Sequence, residues 1–300
     1  MIEGKIVNHF LVRPGKRFRL RDHKTNWVPK TLAALGDEFL KETSRNILEK
    51  NIRELSEAQD LLYASDTYSV LAIFQAMDAA GKDGTIKHVM SGVNPQGCQV
   101  FSFKTPTTEE LDHNFLWRCM KALPERGRIG IFNRSYYEDV LVVRVHKELV
   151  AKQRVPNAKP NKTLWKERYE DINAFERHLV RNGTVILKFF LNVSKKEQKR
   201  RFLERLDTAD KNWKFSIHDV EERQHWDDYM EAYEDAIKAT STPWAPWYVI
   251  PADRKYIARA AVADILSRTI QSLDLTYPKV TAEQKLALKK AKKQLESEKS

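Results

Sequence analysis

Short, continuously apolar runs recur along the chain, each followed by a polar cluster and then by an amphipathic stretch. Val70–Phe74, Cys98–Phe103, Ile129–Phe132, Thr184–Phe190 and Trp247–Ile250 are too short for helices and rich in β-branched or aromatic residues, so each predicts a buried strand. Between them, apolar positions recur at helical spacing. Ile47, Leu48, Ile52, Leu55 and Leu62 mark a helix over about 31–64; Trp165, Tyr169, Ile172, Phe175 and Leu179 mark another, stopped by Asn182-Gly183. Thr107-x-x-Glu110 and Ser194-x-x-Glu197 read as capping boxes, the first opening a helix to about Leu123 and the second a basic helix. A long helix is expected after Asp219, another over 253–273, and an exposed one beyond Thr281; residues 151–162 read as a surface loop. The arm up to Lys30 lacks a clean period and is expected to run extended over the body. Strands alternating with helices predict an α/β chain with a parallel five-stranded sheet covered on both faces, and residues 31–280 as one domain with an arm (1–30) and a charged helical tail (281–300).

Composition narrows the class. A hydrophobic fraction of 42% and an aromatic fraction of 10% supply a sizeable core. Cys98 and Cys119 are the only cysteines, which excludes a disulfide framework and a Cys-rich zinc site. No apolar run approaches the roughly 18 residues of a membrane span, and the start lacks a signal-peptide core, so the expectation is a reduced, cytoplasmic setting without a membrane partner. The net charge of +11 is uneven: residues 1–30 carry +6, residues 281–300 carry +3, and the body only +2. Within the body, Lys195, Lys196, Lys199, Arg200, Arg201, Arg205, Lys211 and Lys214 precede an acidic run from Asp219 to Asp235. Such runs are ordinarily solvated helix faces, and a basic one gains meaning only beside an anion site.

Ligands in parallel sheets bind at the carboxyl ends of strands, and two polar clusters fall there. After the first strand comes Gln75-Ala-Met-Asp-Ala-Ala-Gly-Lys-Asp-Gly84. A small-residue turn with Gly-Lys at a helix start grips phosphate through backbone N–H groups, the helix dipole and the lysine charge. Against G-x-x-x-x-G-K-[ST], Gly81 and Lys82 match, Ala76 replaces the first glycine, and Asp83 replaces the metal-binding hydroxyl. An incidental strand-to-helix turn is the alternative. Asp78 favours the phosphate reading, since it could hold the metal that the hydroxyl would have held; Gly84 and Thr85 leave room for close approach.

The second cluster, Asn133-Arg-Ser-Tyr-Tyr-Glu-Asp139, directly follows the third strand. Arg134 can pair bidentately with phosphate, Glu138 and Asp139 follow, and Arg144 lies further along. The plain alternative is a helix start with acids in its first turn.

Phe74–Lys87, Phe132–Asp139, Trp213-Lys-Phe-Ser216 and Thr240–Pro251 together resemble the polyphosphate kinase 2 family, in order and approximate spacing from about residue 30 to 275. The resemblance implies a P-loop kinase-like three-layer α/β/α sandwich with a helical lid, magnesium (with manganese as an alternative), inorganic polyphosphate, and an adenine or guanine nucleotide. It implies that Asp78 and Glu138 hold metal, and that Asp78, Lys82, Arg134 and Glu138 form the catalytic set. Ala79, Ala80, Gly81, Asp83, Gly84, Thr85, Lys87, Asn133, Arg144 and Lys214 join them as binding positions. Residues 194–219 correspond to the lid, which places the basic run over the site, with Arg201 and Arg205 as its phosphate ligands and Arg200 competing. Much of the family has aspartate at the position of Asn133 and asparagine at that of Glu138; this pair resembles the class III subgroup, associated with phosphorylating both AMP and ADP.

The implied reaction is in-line phosphoryl transfer between polyphosphate and a nucleotide, in either direction. It needs no general base, because the accepting phosphate is already ionised. An ATP-dependent nucleotide kinase is one rival, distinguished by donor; a nucleic-acid-binding module using the basic termini is another, though no nucleic acid is expected as partner. A homodimer or homotetramer is expected. Trp165, Tyr169 and Phe175 read as core, Trp244 and Trp247 as anchors of the last strand's loop, and both cysteines as small fillers.

Overall fold

The computed structural model describes residues 5–34 and 36–298, the side chains of residues 5–7, 31, 211 and 214 excepted. Its centre is a parallel sheet of five strands, β1 (Ser69–Gln75), β2 (Cys98–Ser102), β3 (Ile129–Asn133), β4 (Thr184–Asn192) and β5 (Trp247–Pro251). Their order is β2-β3-β1-β4-β5, with Phe74 of β1 in register with Asn133 of β3 and Phe189 of β4. Every residue of β1 is buried, which is why its sequence is apolar without alternation.

Three helices cover one face: α1 (Asp37–Ser65), α2 (Lys82–Val89) and α6 (Lys255–Gln271). The other face carries α3 (Lys162–Arg181) and α5 (Trp226–Thr240), with α4 (Lys195–Leu206) lying at the carboxyl edge of the sheet. Leu55, Leu62, Ile172, Ile237 and Val262 are each fully excluded from solvent, so both layers press aliphatic stripes onto the sheet. Cys119 is buried in this core and Cys98 partly so. Trp165 and Tyr169 are buried, Phe175 partly so.

Several local expectations differ from the fold. The arm is not simply extended: Lys5–Phe10 is helical and Leu20–Asp22 forms a 3-10 turn. Phe10, Val12, Phe18 and Leu20 are buried, and the Val12 N–H donates to the Trp247 carbonyl at 2.8 Å. The arm therefore covers the free edge of β5, which would otherwise offer unpaired backbone groups. The helix expected from Thr107 to Leu123 breaks into Thr108–Leu111 and Trp117–Met120. Its capping box forms, but Asn114 Oδ1 accepts the Leu116 N–H and so offers the backbone a turn in place of a helix. The acidic stretch is likewise divided, into Ile217–Glu222, a 3-10 turn and α5. The C-terminal helix α7 (Ala282–Ser297) has a complete Thr281/Gln284 capping box and is exposed along its length. No described helix is long and apolar enough to cross a membrane.

Candidate active site

The carboxyl ends of β1 and β3 meet at a cleft of about 860 Å³. The loop from β1 enters it with Ala79 at φ +57° and Gly81 at φ +106°. Ala79 is strained there, at an order of 1 kcal/mol, and glycine is the residue that takes φ +106° without a steric penalty. Arg201 explains how the loop holds this shape. Its Nη1 donates to the Ala79 and Ala80 carbonyls at 3.0 and 2.6 Å, its Nη2 to the Ala252 and Asp253 carbonyls at 2.6 and 3.2 Å. Its Nε donates to Glu197 at 2.7 Å. Because C=O and N–H are antiparallel within a peptide plane, tethering the Ala80 carbonyl turns the Gly81 N–H away from Arg201. The N–H groups that open α2 lack intrahelical partners and are the natural anion ligands.

Lys82 Nζ donates to the Ala76 carbonyl at 2.7 Å. Burial lowers the affinity of this ammonium for its proton, and nearby Arg134 adds to that; Asp78, Glu138 and Asp83 oppose it. Arg134 is also in the left-handed region, at φ +65°, with its N–H donated to the Phe74 carbonyl at 3.0 Å. Its guanidinium lies between Asp78 (3.0 Å) and Glu138 (3.7 Å), and Glu138 raises its proton affinity most. Behind it, the buried Gln75 amide is oriented to donate to Glu138 Oε1 at 2.8 Å and to accept from the Ser135 N–H at 3.0 Å. Asn133 Nδ2 donates to Asp83 Oδ1 at 2.7 Å, which leaves the buried Asn133 Oδ1 without a hydrogen-bond partner among the described residues.

Directly under this turn is a buried polar cluster. Lys188 Nζ lies 2.6 Å from Glu176 Oε2, both side chains wholly excluded from solvent. The Tyr136 and Tyr137 hydroxyls each donate to Glu176 Oε1 at 2.9 Å, and Lys188 also donates to the Tyr137 hydroxyl and the Thr240 carbonyl. Next to it, burial pushes the Asp139 carboxyl up to about 6, against the opposing charge of Arg168.

Of the positions singled out in the sequence, Asp78, Ala79, Ala80, Gly81, Lys82, Asp83, Gly84, Thr85, Asn133, Arg134, Arg201 and Arg205 all line this one cleft. Others do not. Lys87 is exposed on the outer face of α2, one turn beyond the loop. Arg144 is turned away, paired with Tyr169 at 2.8 Å and Asp235 at 2.6 Å. Glu138 is not on the cleft wall but behind Arg134, and the side chain of Lys214 lies outside the described residues. Arg201 reaches the wall, but its donors are spent on carbonyls, so its place is beneath the loop rather than above a ligand. The basic run as a whole does not face the cleft: Lys195 and Lys196 border a separate groove beside Arg21 and Lys24, and Arg200 pairs with Glu197 and Glu204. The Ser194 capping box is half made, since Ser194 Oγ accepts the Glu197 N–H while the Ser194 N–H goes to Asp253 at 2.7 Å. Glu197 is thereby released to hold Arg200 and Arg201.

The lid segment is fastened at two places. Asn212 Nδ2 donates to the Arg205 and Leu206 carbonyls, and Arg223 donates to the Lys195 carbonyl and to Gln198. Gln198 in turn donates to the Asp78 carbonyl at 2.9 Å. Trp213 and Asp219 of this segment line the cleft; burial raises the proton affinity of Asp219, and Asp78 adds to it.

The cleft also includes Lys104 and Thr105 after β2, and Lys255 and Arg259 on α6, none of which stood out in the sequence. The available signal was positional: each lies just past the carboxyl end of a strand, where this sheet type binds ligands.

No group of three or more His, Cys, Asp or Glu side chains among the described residues converges as a metal cage. The donors on the wall are Asp78, Asp83 and the unpartnered Asn133 Oδ1, hard oxygen ligands that suit a divalent cation completed by phosphate oxygens and water.

Comparison with known proteins agrees with this geometry. The sequence pattern of the family described as Polyphosphate kinase 2 (PPK2) matches residues 38–278. An "ADP-polyphosphate phosphotransferase" of Rhodopseudomonas palustris is 54% identical over 256 residues, covering 85% of this chain and 89% of the relative. An "AMP/ADP-polyphosphate phosphotransferase" of Meiothermus ruber is 46% identical over 283 residues, covering 94% of this chain and all (100%) of the relative. The crystal structure of Polyphosphate Kinase 2 from Arthrobacter aurescens TC1 superposes with a TM-score of 0.83 at 39% identity, over 95% of this chain and 96% of the other. The loop at Lys82, the turn at Arg134 and matches that run nearly end to end lead to one conclusion: this chain belongs to the polyphosphate kinase 2 family.

Proposed function

We propose that this chain transfers the terminal phosphoryl group of inorganic polyphosphate to AMP and ADP, forming ATP, and runs the reverse reaction when ATP is in excess. The observation that carries it is the pairing across one cleft of Lys82, at the mouth of an anion-binding loop, with Arg134, held in a strained backbone conformation between Asp78 and Glu138. An acceptor phosphate oxygen attacks the terminal phosphorus, that phosphorus–oxygen bond breaks, and the polyphosphate leaves one unit shorter. The acceptor is already an anion, so no proton needs removal, and the residues act by positioning and charge neutralisation. Lys82 and the α2 N–H groups hold the transferring phosphoryl oxygens, and Arg134 aligns donor with acceptor. Asp78, with Asp83 and Asn133 beside it, would hold a divalent cation, magnesium or manganese, which when bound offsets further phosphate charge.

The test is ATP formation from AMP, and separately from ADP, with polyphosphate as sole donor. Production from both supports the reading; turnover only with ATP as donor overturns it. The Asn133/Glu138 pair carries the acceptor range in this reading, because Glu138 sets the charge behind Arg134. Glu138→Asn is expected to change the ratio of kcat/KM for AMP to that for ADP by roughly tenfold, as loss of one charge-assisted contact implies. An unchanged ratio would separate Glu138 from acceptor choice.

A further inference from the structure

Two cations on the cleft wall have no assigned work. Lys255 and Arg259 stand one turn apart on α6, the helix that follows β5, and both face the loop helix α2. A Cβ on Gly84 would lie 3.6 Å from Arg259 Nη2, so this guanidinium rests against the first turn of α2. Neither residue has an ion-pair partner among the described residues, and Arg259 Nε is buried without an acceptor. Their nearest cationic neighbour, Arg201, cannot take over their role, because its donors are committed to backbone carbonyls. The three cations repel: burial lowers the proton affinity of both Lys255 and Arg259, and Arg201 lowers it further. Such a cluster is stable only as a place that receives negative charge.

Its position selects the anion. Arg134 follows β3 on one side of the loop, whereas Lys255 and Arg259 follow β5 on the other, two strand positions from β1. AMP and ADP carry too few phosphates to engage Arg134 and α6 together. On this side α6 contributes only Lys255, Ala258 and Arg259 to the wall, with no aromatic ring for a base.

Resting on the functional reading above, we infer that Lys255 and Arg259 form an anion subsite for the linear polyphosphate chain beyond its reacting unit, so that they set the preference for long over short donors. The chain crosses the loop from the Arg134 side to α6, and its distal units pair with these two cations while Lys82 and Arg134 hold the reacting ones.

The test compares long-chain polyphosphate with tripolyphosphate as donors to ADP, for wild type, Arg259→Gln, Lys255→Gln and the double variant. The KM for long-chain donor is expected to rise roughly tenfold or more in the double variant, from loss of charge-assisted bonds. The KM for tripolyphosphate and for ADP, and kcat at saturating donor, are expected to stay near wild type. Equal rises for both donors, a rise for ADP alone, or no change would overturn the subsite. Lys255 is exposed, so its variant retains the fold if Arg259→Gln does not. Wild-type protein that uses neither donor would defeat the functional reading itself, which is a different result from an active enzyme whose variants keep their donor preference.

Discussion

Lys82→Met is expected to lower kcat by roughly 10²- to 10³-fold with little change in global stability, the scale of removing one preorganised charge from a transition state. Lys82 sits in the first turn of α2 with its ammonium resting 2.7 Å from the Ala76 carbonyl, a neutral acceptor that a phosphate oxygen readily outcompetes. Its charge is retained although burial and Arg134 weaken it, because Asp78, Glu138 and Asp83 surround it. Removing the ammonium costs the loop one hydrogen bond, about 1 kcal/mol, which a melting curve would register as a small shift. Lys82→Arg is not expected to rescue, since a planar fork cannot occupy the space of a compact ammonium. Steady-state rates with saturating polyphosphate and ADP decide the matter, and a kcat within tenfold of wild type would remove Lys82 from the reaction.

The largest effect on stability is expected from Lys188→Met. The substitution leaves Glu176 in a site with no solvent access and no counter-charge, a loss of about 3–5 kcal/mol. For a chain of this size that corresponds to a fall in Tm on the order of 10 °C. The carboxyl of Glu176 already has its proton affinity raised by burial, with Lys188 opposing that rise. In the variant the opposition is gone and its titration moves higher still. A raised carboxyl contributes stability that is fully present below the unfolded-state value and is lost as pH rises through the folded-state value. The deficit of Lys188→Met relative to wild type should therefore shrink as pH falls toward roughly 4 and widen toward neutrality. Thermal melts of both proteins across that range test this, and a deficit that grows on acidification would show that the Tyr136 and Tyr137 hydroxyls, not Lys188, stabilise the carboxylate. Activity should also fall below the melting range, because those tyrosines follow Arg134 by two and three residues and fix its turn.

The parts legible in the sequence are those whose signal is local. Val70–Phe74 reads as a buried strand because all its neighbours are apolar, and Gly81-Lys82 reads as an anion loop because the turn and the helix start are contiguous. Arg201 was misread for the opposite reason. Helical spacing places it with Arg205 on one face, but what that face meets is decided by carbonyls at Ala79, Ala80 and Ala252, far away in sequence. Arg144 failed similarly, since its partners Tyr169 and Asp235 belong to α3 and α5. Lys255 and Arg259 were passed over because a helix with two cations looks ordinary until β5 is known to end beside β4, within reach of the loop.

The tethers of Arg201 and Gln198 have a mechanical meaning. They bolt α4 to the phosphate loop and to the end of β5, so this helix is part of the frame and cannot swing as a door. What is left to travel is the stretch from Asp207 to Glu222, pinned at one end by Asn212 against the tail of α4 and at the other by Arg223 against its head. A strap fixed at both ends of a rigid beam bows rather than rotates. Access to the cleft is therefore governed by a short flexing span carrying Trp213 and Asp219, and the cleft can open to release product without disturbing the loop that must grip the next phosphate.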